Sequence, residues 1–269
     1  MYLQGRIPSP PTDAPPYDTV FPTHPSRQII RKETSHSITG SFPLYDLLDL
    51  STRSGSISIT VIPHPVAPGA HPNTPAVLRL SASSGSVLVR IDDKYLKGLG
   101  KHGHGDGGAR ERVFETYIRT KSGSVTGKIL QSAGGRTQIQ ARSGSVFVDV
   151  IPVNLGPTSN ESTIETVTSS GSTNLRLLSP PLDATAGGET ITNLTAIHRS
   201  DGSGSLHISY PSEWEGSVHA LSKGRGSVSV RGDGLLVAGP GIREKTARRG
   251  NGGKVEVLTK GSGSIYFKC

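Results

Sequence analysis

Cysteine and long apolar runs are the two features that this sequence most clearly lacks. The chain of 269 residues has one cysteine, Cys269, so an intramolecular disulfide is excluded and a reducing compartment is favoured. No stretch approaches the roughly 18 apolar residues of a membrane span, and the first residues lack the apolar segment of a signal peptide. We therefore expect an intracellular protein without a membrane span, and secretion by a route that needs no signal peptide stays open.

Apolar residues are scarce as well, which limits the size of any single core. They make up 33% of the chain, beside 34 glycines and 19 prolines, whereas globular domains usually contain roughly 45–50%. Such a composition suits a disordered chain, or a repeat protein whose units each bury a few residues. The apolar residues fall in short alternating runs, which favours the repeat protein. Residues 1–34, which are rich in proline, are predicted to be a largely disordered tail.

What the sequence does contain is the tripeptide Ser-Gly-Ser in seven copies, with Arg225-Gly226-Ser227 as a degenerate eighth. A fixed motif at intervals of a few tens of residues indicates a repeat architecture. We expect the glycine of each copy to form a sharp corner with a positive φ, and the serines to form a ladder between neighbouring copies. The eight motif glycines are Gly55, Gly85, Gly123, Gly144, Gly171, Gly204, Gly226 and Gly263.

Each copy is followed by alternating apolar residues, as in Val146-Phe147-Val148-Asp149-Val150, and is preceded by a second such run. A period of two is typical of a β-strand with one buried face, so each motif is predicted to join two strands. The shortest intervals, from Gly123 to Gly144 and from Gly204 to Gly226, set the minimal coil as two strands and two turns. The sequence therefore predicts an all-β solenoid of about eight two-strand coils over residues 35–269.

The longer intervals must hold insertions, and the second turn of a coil is the place for them because the Ser-Gly-Ser turn is constant. All insertions should then project from one edge, opposite the motif. Loops on a rigid scaffold are where binding residues usually lie, so this edge is the candidate functional surface. The insertions cover approximately residues 62–76, 93–112, 152–161, 179–189 and 232–253.

The repeated pattern Leu-x-Thr-x-Ser-Gly-Ser-Val/Ile-x-Val/Ile resembles an adhesin-like family of single-stranded right-handed β-helices that is found in bacteria and fungi. The segment Ser37-Ile38-Thr39-Gly40-Ser41-Phe42 is similar to the strand that leads into the first coil of the fungal members. The resemblance covers about residues 35–269. It implies a right-handed β-helix, it specifies no function, and the family has no defined catalytic residues to carry over.

The charge of the chain favours an anionic partner. The formal net charge is +8 at pH 7, which attracts nucleic acid, anionic glycans or an acidic surface. Two insertions carry most of the clustered cations, and they belong to coils five apart, which is about 24 Å at roughly 4.8 Å per coil. They would act together only on a long polymer, and the alternative is that they merely solubilise the chain. These residues are Lys94, Lys97, Lys101, Arg110, Arg112, Arg243, Lys245, Arg248 and Arg249.

Two further candidates are a metal site and an aromatic side chain. His102, His104 and Asp106 have donor atoms that suit zinc or copper, but a solvated glycine-rich loop explains the same residues. Trp214, the one tryptophan, is predicted at the insertion edge. Its indole is a candidate for stacking on a sugar ring, and the alternative is packing against the adjacent loop.

The strands supply no convincing catalytic constellation. Enzymes built on β-helices need clustered carboxylates on adjacent coils, whereas the acidic residues here do not recur at matching positions. We therefore predict a non-catalytic module without a cofactor that binds a glycan, another polyanion or a protein. The alternative is a scaffold that self-associates end to end, because the C-terminal strand, Ser264–Lys268, is predicted to be an uncapped end. A polysaccharide-acting enzyme is the third hypothesis.

Overall fold

The computed structural model describes residues 27–68, 70–71, 74–99, 112–155, 160–180 and 190–269. Within these ranges the chain forms twenty strands and one short helix, α1 (Asp93–Leu99). The strands are β1 (Gln28–Glu33), β2 (Ile38–Leu44), β3 (Leu47–Thr52), β4 (Ile57–Pro63), β5 (Ala76–Ala82), β6 (Val87–Ile91), β7 (Phe114–Thr120), β8 (Val125–Ser132), β9 (Arg136–Ala141), β10 (Val146–Val153), β11 (Ser162–Thr168), β12 (Thr173–Leu177), β13 (Leu194–Ser200), β14 (Leu206–Ser209), β15 (Gly216–Ser222), β16 (Val228–Arg231), β17 (Leu236–Ala238), β18 (Glu244–Arg249), β19 (Gly253–Thr259) and β20 (Ile265–Lys268).

These strands form two sheets between which the chain alternates. The eleven-stranded sheet has the order β1-β3-β5-β7-β9-β11-β13-β19-β15-β18-β17, and the nine-stranded sheet has the order β16-β20-β14-β12-β10-β8-β6-β4-β2. All pairs are parallel except β15–β18 and β17–β18, which are antiparallel. The structure thus confirms the predicted all-β class, with two sheets in which most strands pair in parallel with a strand of the adjacent unit. α1 is too short to cross a membrane, and no described helix could do so.

One strand of each sheet, joined by a short turn, makes up what we call a unit, and the described residues contain nine units. Inner and outer residues alternate along both strands, so that Ile139 and Val146 are fully buried while Phe147 is exposed. The buried side chains of both sheets belong to one apolar cluster. The first unit consists of β1 and β2, and it begins at Gln28, before the predicted boundary at residue 35. The earlier residues of the predicted tail, 1–26, lie outside the described residues.

The motif glycines occupy the turns as predicted, but the predicted positive φ is wrong. Positive φ values among the described glycines occur elsewhere in the chain. The physical reason for glycine is space, because a Cβ atom on Gly144 would collide with the carbonyl oxygen of Gly123 in the preceding unit. The same collision recurs at every motif glycine. In the first unit His36 holds the equivalent position, since Gly55 packs on its carbonyl and no described unit precedes it.

The predicted serine ladder is confirmed. The serine after seven of the eight motif glycines donates its backbone N–H to the side-chain oxygen of the equivalent serine in the adjacent unit. Ser86 N to Ser56 Oγ measures 3.2 Å, and Ser145 N to Ser124 Oγ measures 3.3 Å. These bonds satisfy backbone donors that the turn would otherwise leave unpaired, so the turns of successive units are held in register along one edge.

The order of the last units differs from the order in the sequence. β19 and β20 lie between the unit of β13 and β14 and the unit of β15 and β16. The prediction of an uncapped C-terminal strand is therefore wrong, because β20 pairs with a strand on each side. The end of the stack is formed by β15 and β16, and the hairpin of β17 and β18 covers it by pairing with β15.

Candidate binding surface

Each predicted insertion falls between a strand of the nine-stranded sheet and the next strand of the eleven-stranded sheet, so the described ends of the insertions share the edge opposite the Ser-Gly-Ser turns. On this edge α1 carries Lys94 and Lys97, both exposed. Asp92 accepts hydrogen bonds from the backbone N–H groups of Lys94 and Tyr95 and thereby begins the helix. Lys101 and Arg110, together with the predicted metal ligands His102, His104 and Asp106, lie outside the described residues.

Arg112 was predicted to present a free cation, and this prediction is wrong. Its side chain is fully buried, donates to Asp46 Oδ1 at 2.7 Å and to the carbonyl of His64 at 2.7 Å, and also reaches the carbonyls of Pro65 and Pro75. The hydrogen bonds that Asp46 accepts from Arg27 and Arg112 lower its pKa despite the opposing effect of burial. Arg112 therefore ties neighbouring connections together, and its guanidinium is unavailable to a ligand.

The second predicted group of cations lies on the hairpin of β17 and β18. Some of these side chains are accessible to a ligand, and one is bound to the backbone. Arg243 is exposed and Lys245 is half-buried, while Arg248 donates to the carbonyl of Gly250 at 3.1 Å. Arg249 is a structural residue, because it donates to the backbone carbonyls of Trp214, Pro211 and Asp233. The prediction that Arg249 contacts a ligand is therefore wrong.

The two basic insertions are farther apart than predicted. The extra unit of β19 and β20 separates them by six units instead of five, or about 29 Å at roughly 4.8 Å per unit. The structure therefore does not bring α1 and the hairpin into one local site.

Trp214 lies in the core and not on the surface. Its side chain is fully buried, and its ring meets Tyr210 at 5.4 Å and Phe267 at 6.0 Å between centroids, both edge to face. A buried indole offers no face to a sugar. The prediction that Trp214 stacks on a sugar is therefore wrong, and the alternative, packing within the protein, holds. Among the described residues no group of three or more histidine, cysteine or acidic side chains is placed to hold a metal ion.

The outer faces of the two sheets differ sharply in charge. The strands of the nine-stranded sheet contain five arginines and lysines and a single carboxylate, that of Asp149. The parallel strands of the eleven-stranded sheet contain seven cations but also five carboxylates. The nine-stranded sheet is therefore the face that has a nearly uniform positive charge. Its cations are Arg90, Lys128, Arg176, Arg231 and Lys268.

The register of the nine-stranded sheet arranges these cations in a line, with a second line of side chains beside it. The cation row runs through equivalent outer positions, and the ring row lies two residues closer to the Ser-Gly-Ser turns, about 7 Å away at 3.3 Å per residue. We call the two rows together the track. The cation row reads Lys128, Asp149, Arg176, Ser209, Lys268, Arg231, with Arg90 before it, and the ring row reads Thr126, Phe147, Asn174, His207, Tyr266, Ser229.

Aromatic side chains interrupt the polar residues of the ring row. Phe147 and Tyr266 are 47% and 46% exposed, which is unusual for side chains of this size. The rings of His207 and Tyr266 are stacked, with centroids 4.7 Å apart and an interplanar angle of 15°. This spacing equals the distance between neighbouring strands, so the ring faces are directed along the row.

A shallow groove surrounds Phe147 in the middle of the track. Its lining includes Lys128, Asn174 and Arg176 together with the backbone of Gly127. Arg176 donates to both oxygens of Asp149 at 2.9 Å, and these hydrogen bonds raise the pKa of Arg176. Asp149 is thereby neutralised, and Lys128 remains as an exposed cation on the other side of the ring.

The alternation in the sequence identifies the outward residues of these strands, but no site was predicted on them. The signal was present, because the second and fourth residues after each motif serine are the ones that form the two rows. The contact of His207 with Tyr266 could not be found in this way, since it depends on the changed order of the units. Comparison of the chain with models of protein families, with curated proteins and with solved structures found no match in any of the three.

Proposed function

We propose that this protein is a non-catalytic binding module whose track holds a linear anionic polymer. The single observation that carries the proposal is the cation row, in which Lys128, Lys268 and Arg231 recur on parallel strands in register. A polymer with repeated negative charges matches a repeated row of cations, and binding releases its counterions. From Arg90 to Arg231 the row spans six strand spacings, or about 29 Å at roughly 4.8 Å each.

The fold that we propose for this module is a right-handed β-solenoid of the adhesin-like kind. The alternation of the chain between two parallel sheets and the shared Ser-Gly-Ser edge support it. A solenoid suits a polymer ligand because its surface extends with each unit and stays rigid. The binding residues of this proposal lie on a sheet face, whereas the sequence favoured the insertion edge.

The scarcity of carboxylates on the track supports a non-catalytic role. Hydrolysis of a polysaccharide needs two carboxyl groups at a set separation. The described strands of this face contribute one carboxylate, Asp149, and it is bound at both oxygens by Arg176. The surface can therefore neutralise charge and orient a chain, and it lacks the acid–base pair that would cleave one.

The proposal is tested by comparing two variants that lose the same charge on opposite faces. The track variant changes four exposed cations to serine, and the matched control changes four cations of the eleven-stranded sheet and its turns. Binding of labelled polyphosphate is measured at several salt concentrations. The track variant carries Arg90→Ser, Lys128→Ser, Arg231→Ser and Lys268→Ser, and the control carries Arg79→Ser, Arg119→Ser, Lys121→Ser and Arg142→Ser.

We expect the track variant to lose at least about tenfold in affinity and to show a salt dependence reduced by about three counterions, at roughly 0.7 per phosphate of a flexible strand. The control should stay within about twofold of the wild type. Equal losses in the two variants would mean that net charge alone attracts the polymer and would overturn the proposed site.

A further inference from the structure

We infer that the polymer on the track is a single-stranded nucleic acid, with a base stacked on Tyr266 above Ser229. The inference rests on the proposed function and names the class of ligand. Proteins that bind single strands combine a positively charged groove with aromatic side chains on which bases stack. Both components lie side by side here, and the direction of the aromatic rings is what selects the ligand.

The ring of Tyr266 has one covered face and one open face. His207 on β14 stacks on the first face at 4.7 Å, and β20 places Tyr266 between β14 and β16. The opposite face is therefore directed toward β16, where the equivalent outer residue is Ser229. A serine is too small to fill the space beside a tyrosine ring, so a slot for a flat ring is left between the aromatic face and the end of the sheet.

The walls of this slot carry the charge that a nucleotide needs. Lys268 follows Tyr266 by two residues on β20, and Arg231 follows Ser229 by two residues on β16, both exposed. A base that lies on Tyr266 would have its phosphates over these two side chains, about 7 Å along the strand at 3.3 Å per residue. Stacking and charge neutralisation thus come from adjacent rows.

The ring direction argues against an acidic polysaccharide. A sugar that rests on a sheet needs an aromatic face turned outward from that sheet. His207 and Tyr266 instead face each other along the row, because rings lying flat side by side would overlap at a centroid distance of 4.7 Å. A planar base can stack on the open end of these two rings, whereas a puckered sugar ring cannot.

Phe147 forms a second aromatic position with the same kinds of neighbours as Tyr266. It is 47% exposed, lies between the smaller residues Thr126 and Asn174, and has Lys128 and Arg176 in the neighbouring row. Three strand spacings, about 14 Å at roughly 4.8 Å each, separate it from Tyr266. The track therefore offers two aromatic positions to one strand.

The experiment compares three polymers on the full chain: an oligothymidylate, an abasic sugar–phosphate strand of the same length, and polygalacturonate. Binding is followed by fluorescence anisotropy for the wild type, Tyr266→Leu, Ser229→Phe and the control Tyr117→Leu, which removes a tyrosine from the outer face of the other sheet. Circular dichroism checks that each variant is folded. If Tyr266→Leu does not fold, Ser229→Phe still tests the slot.

We expect the wild type to prefer the oligothymidylate to the abasic strand, and Tyr266→Leu to weaken its binding by about tenfold. Ser229→Phe, which fills the slot, should weaken it similarly, while neither change affects the abasic strand and Tyr117→Leu changes nothing. Equal binding of the oligothymidylate and the abasic strand, or a preference for polygalacturonate, would overturn the inference and leave the proposed function standing. Failure of all three polymers to bind would overturn both.

Discussion

At the scale of single residues, the motif glycines allow the units to lie close together, because the backbone of the adjacent unit occupies the space that a side chain would need. The sequence indicates where the turns lie, because the tripeptide recurs with strands on both sides. It cannot show that the carbonyl of one unit fills the place of the next unit's Cβ atom, since this contact joins residues some twenty to sixty positions apart. The same limit applies to Trp214 and Arg112, whose burial is decided by packing.

The steric origin of the glycines predicts that alanine at Gly144 is strongly destabilising. The added Cβ would lie far inside van der Waals contact of the carbonyl oxygen of Gly123, and backbone cannot move aside as a side chain can. We expect Gly144→Ala to lower the free energy of unfolding by about 3 kcal/mol, the upper end for overpacking. Gly241→Ala, where a Cβ meets nothing within 4 Å, is the control. Chemical denaturation that finds equal stability for both variants would contradict this account.

At the scale of elements, alternation in the sequence predicts the strands well but says nothing about polar residues on the inner face. His198 on β13 is one of these, and its side chain is fully buried. Its Nδ1 is 2.9 Å from Thr166 Oγ1 on β11, and its Nε2 is 3.2 Å from the hydroxyl of Tyr210, which follows β14. This hydrogen-bonded chain links the two sheets through the core.

The buried imidazole makes stability depend on pH. Burial lowers the pKa of His198 from 6.5 to about 3, so between these values the unfolded chain binds a proton that the folded chain does not. Stability is therefore complete above pH 6.5 and falls as the pH is lowered, by about 1.4 kcal/mol per pH unit. From pH 7 to pH 5 we expect a loss of about 2 kcal/mol in urea unfolding. His198→Gln should remove most of this loss, whereas His207→Gln, on the exposed track, should retain it.

At the scale of the whole molecule, the order of the units is the feature that the sequence conceals. The turns are nearly equivalent, so many units could lie beside one another. The hairpin decides the order, because β18 takes one edge of β15 and leaves only the other edge for β19. The last unit must then enter between β13 and β15. The track depends on this arrangement, since it is what places Tyr266 between His207 and Ser229.

Each end of the stack carries features that oppose pairing with another chain, and together they predict a monomer. At the first end His36 stands where a glycine would be needed, so its Cβ blocks a further Ser-Gly-Ser turn. At the other end the hairpin covers β15, and Ile242 accepts a hydrogen bond from Val228 N–H. Both ends also carry an exposed cation, Lys32 on β1 and Arg243 on the hairpin, and like charges oppose edge pairing.

We therefore expect sedimentation to give the mass of one chain, 28.2 kDa, at every concentration tested and at both low and high salt. High salt is the informative condition, because it screens the charges and leaves the steric block of His36 in place. A mass that rises with concentration only at high salt would mean that charge alone keeps the ends apart. In that case His36→Gly should not increase the association, whereas a steric block predicts that it does.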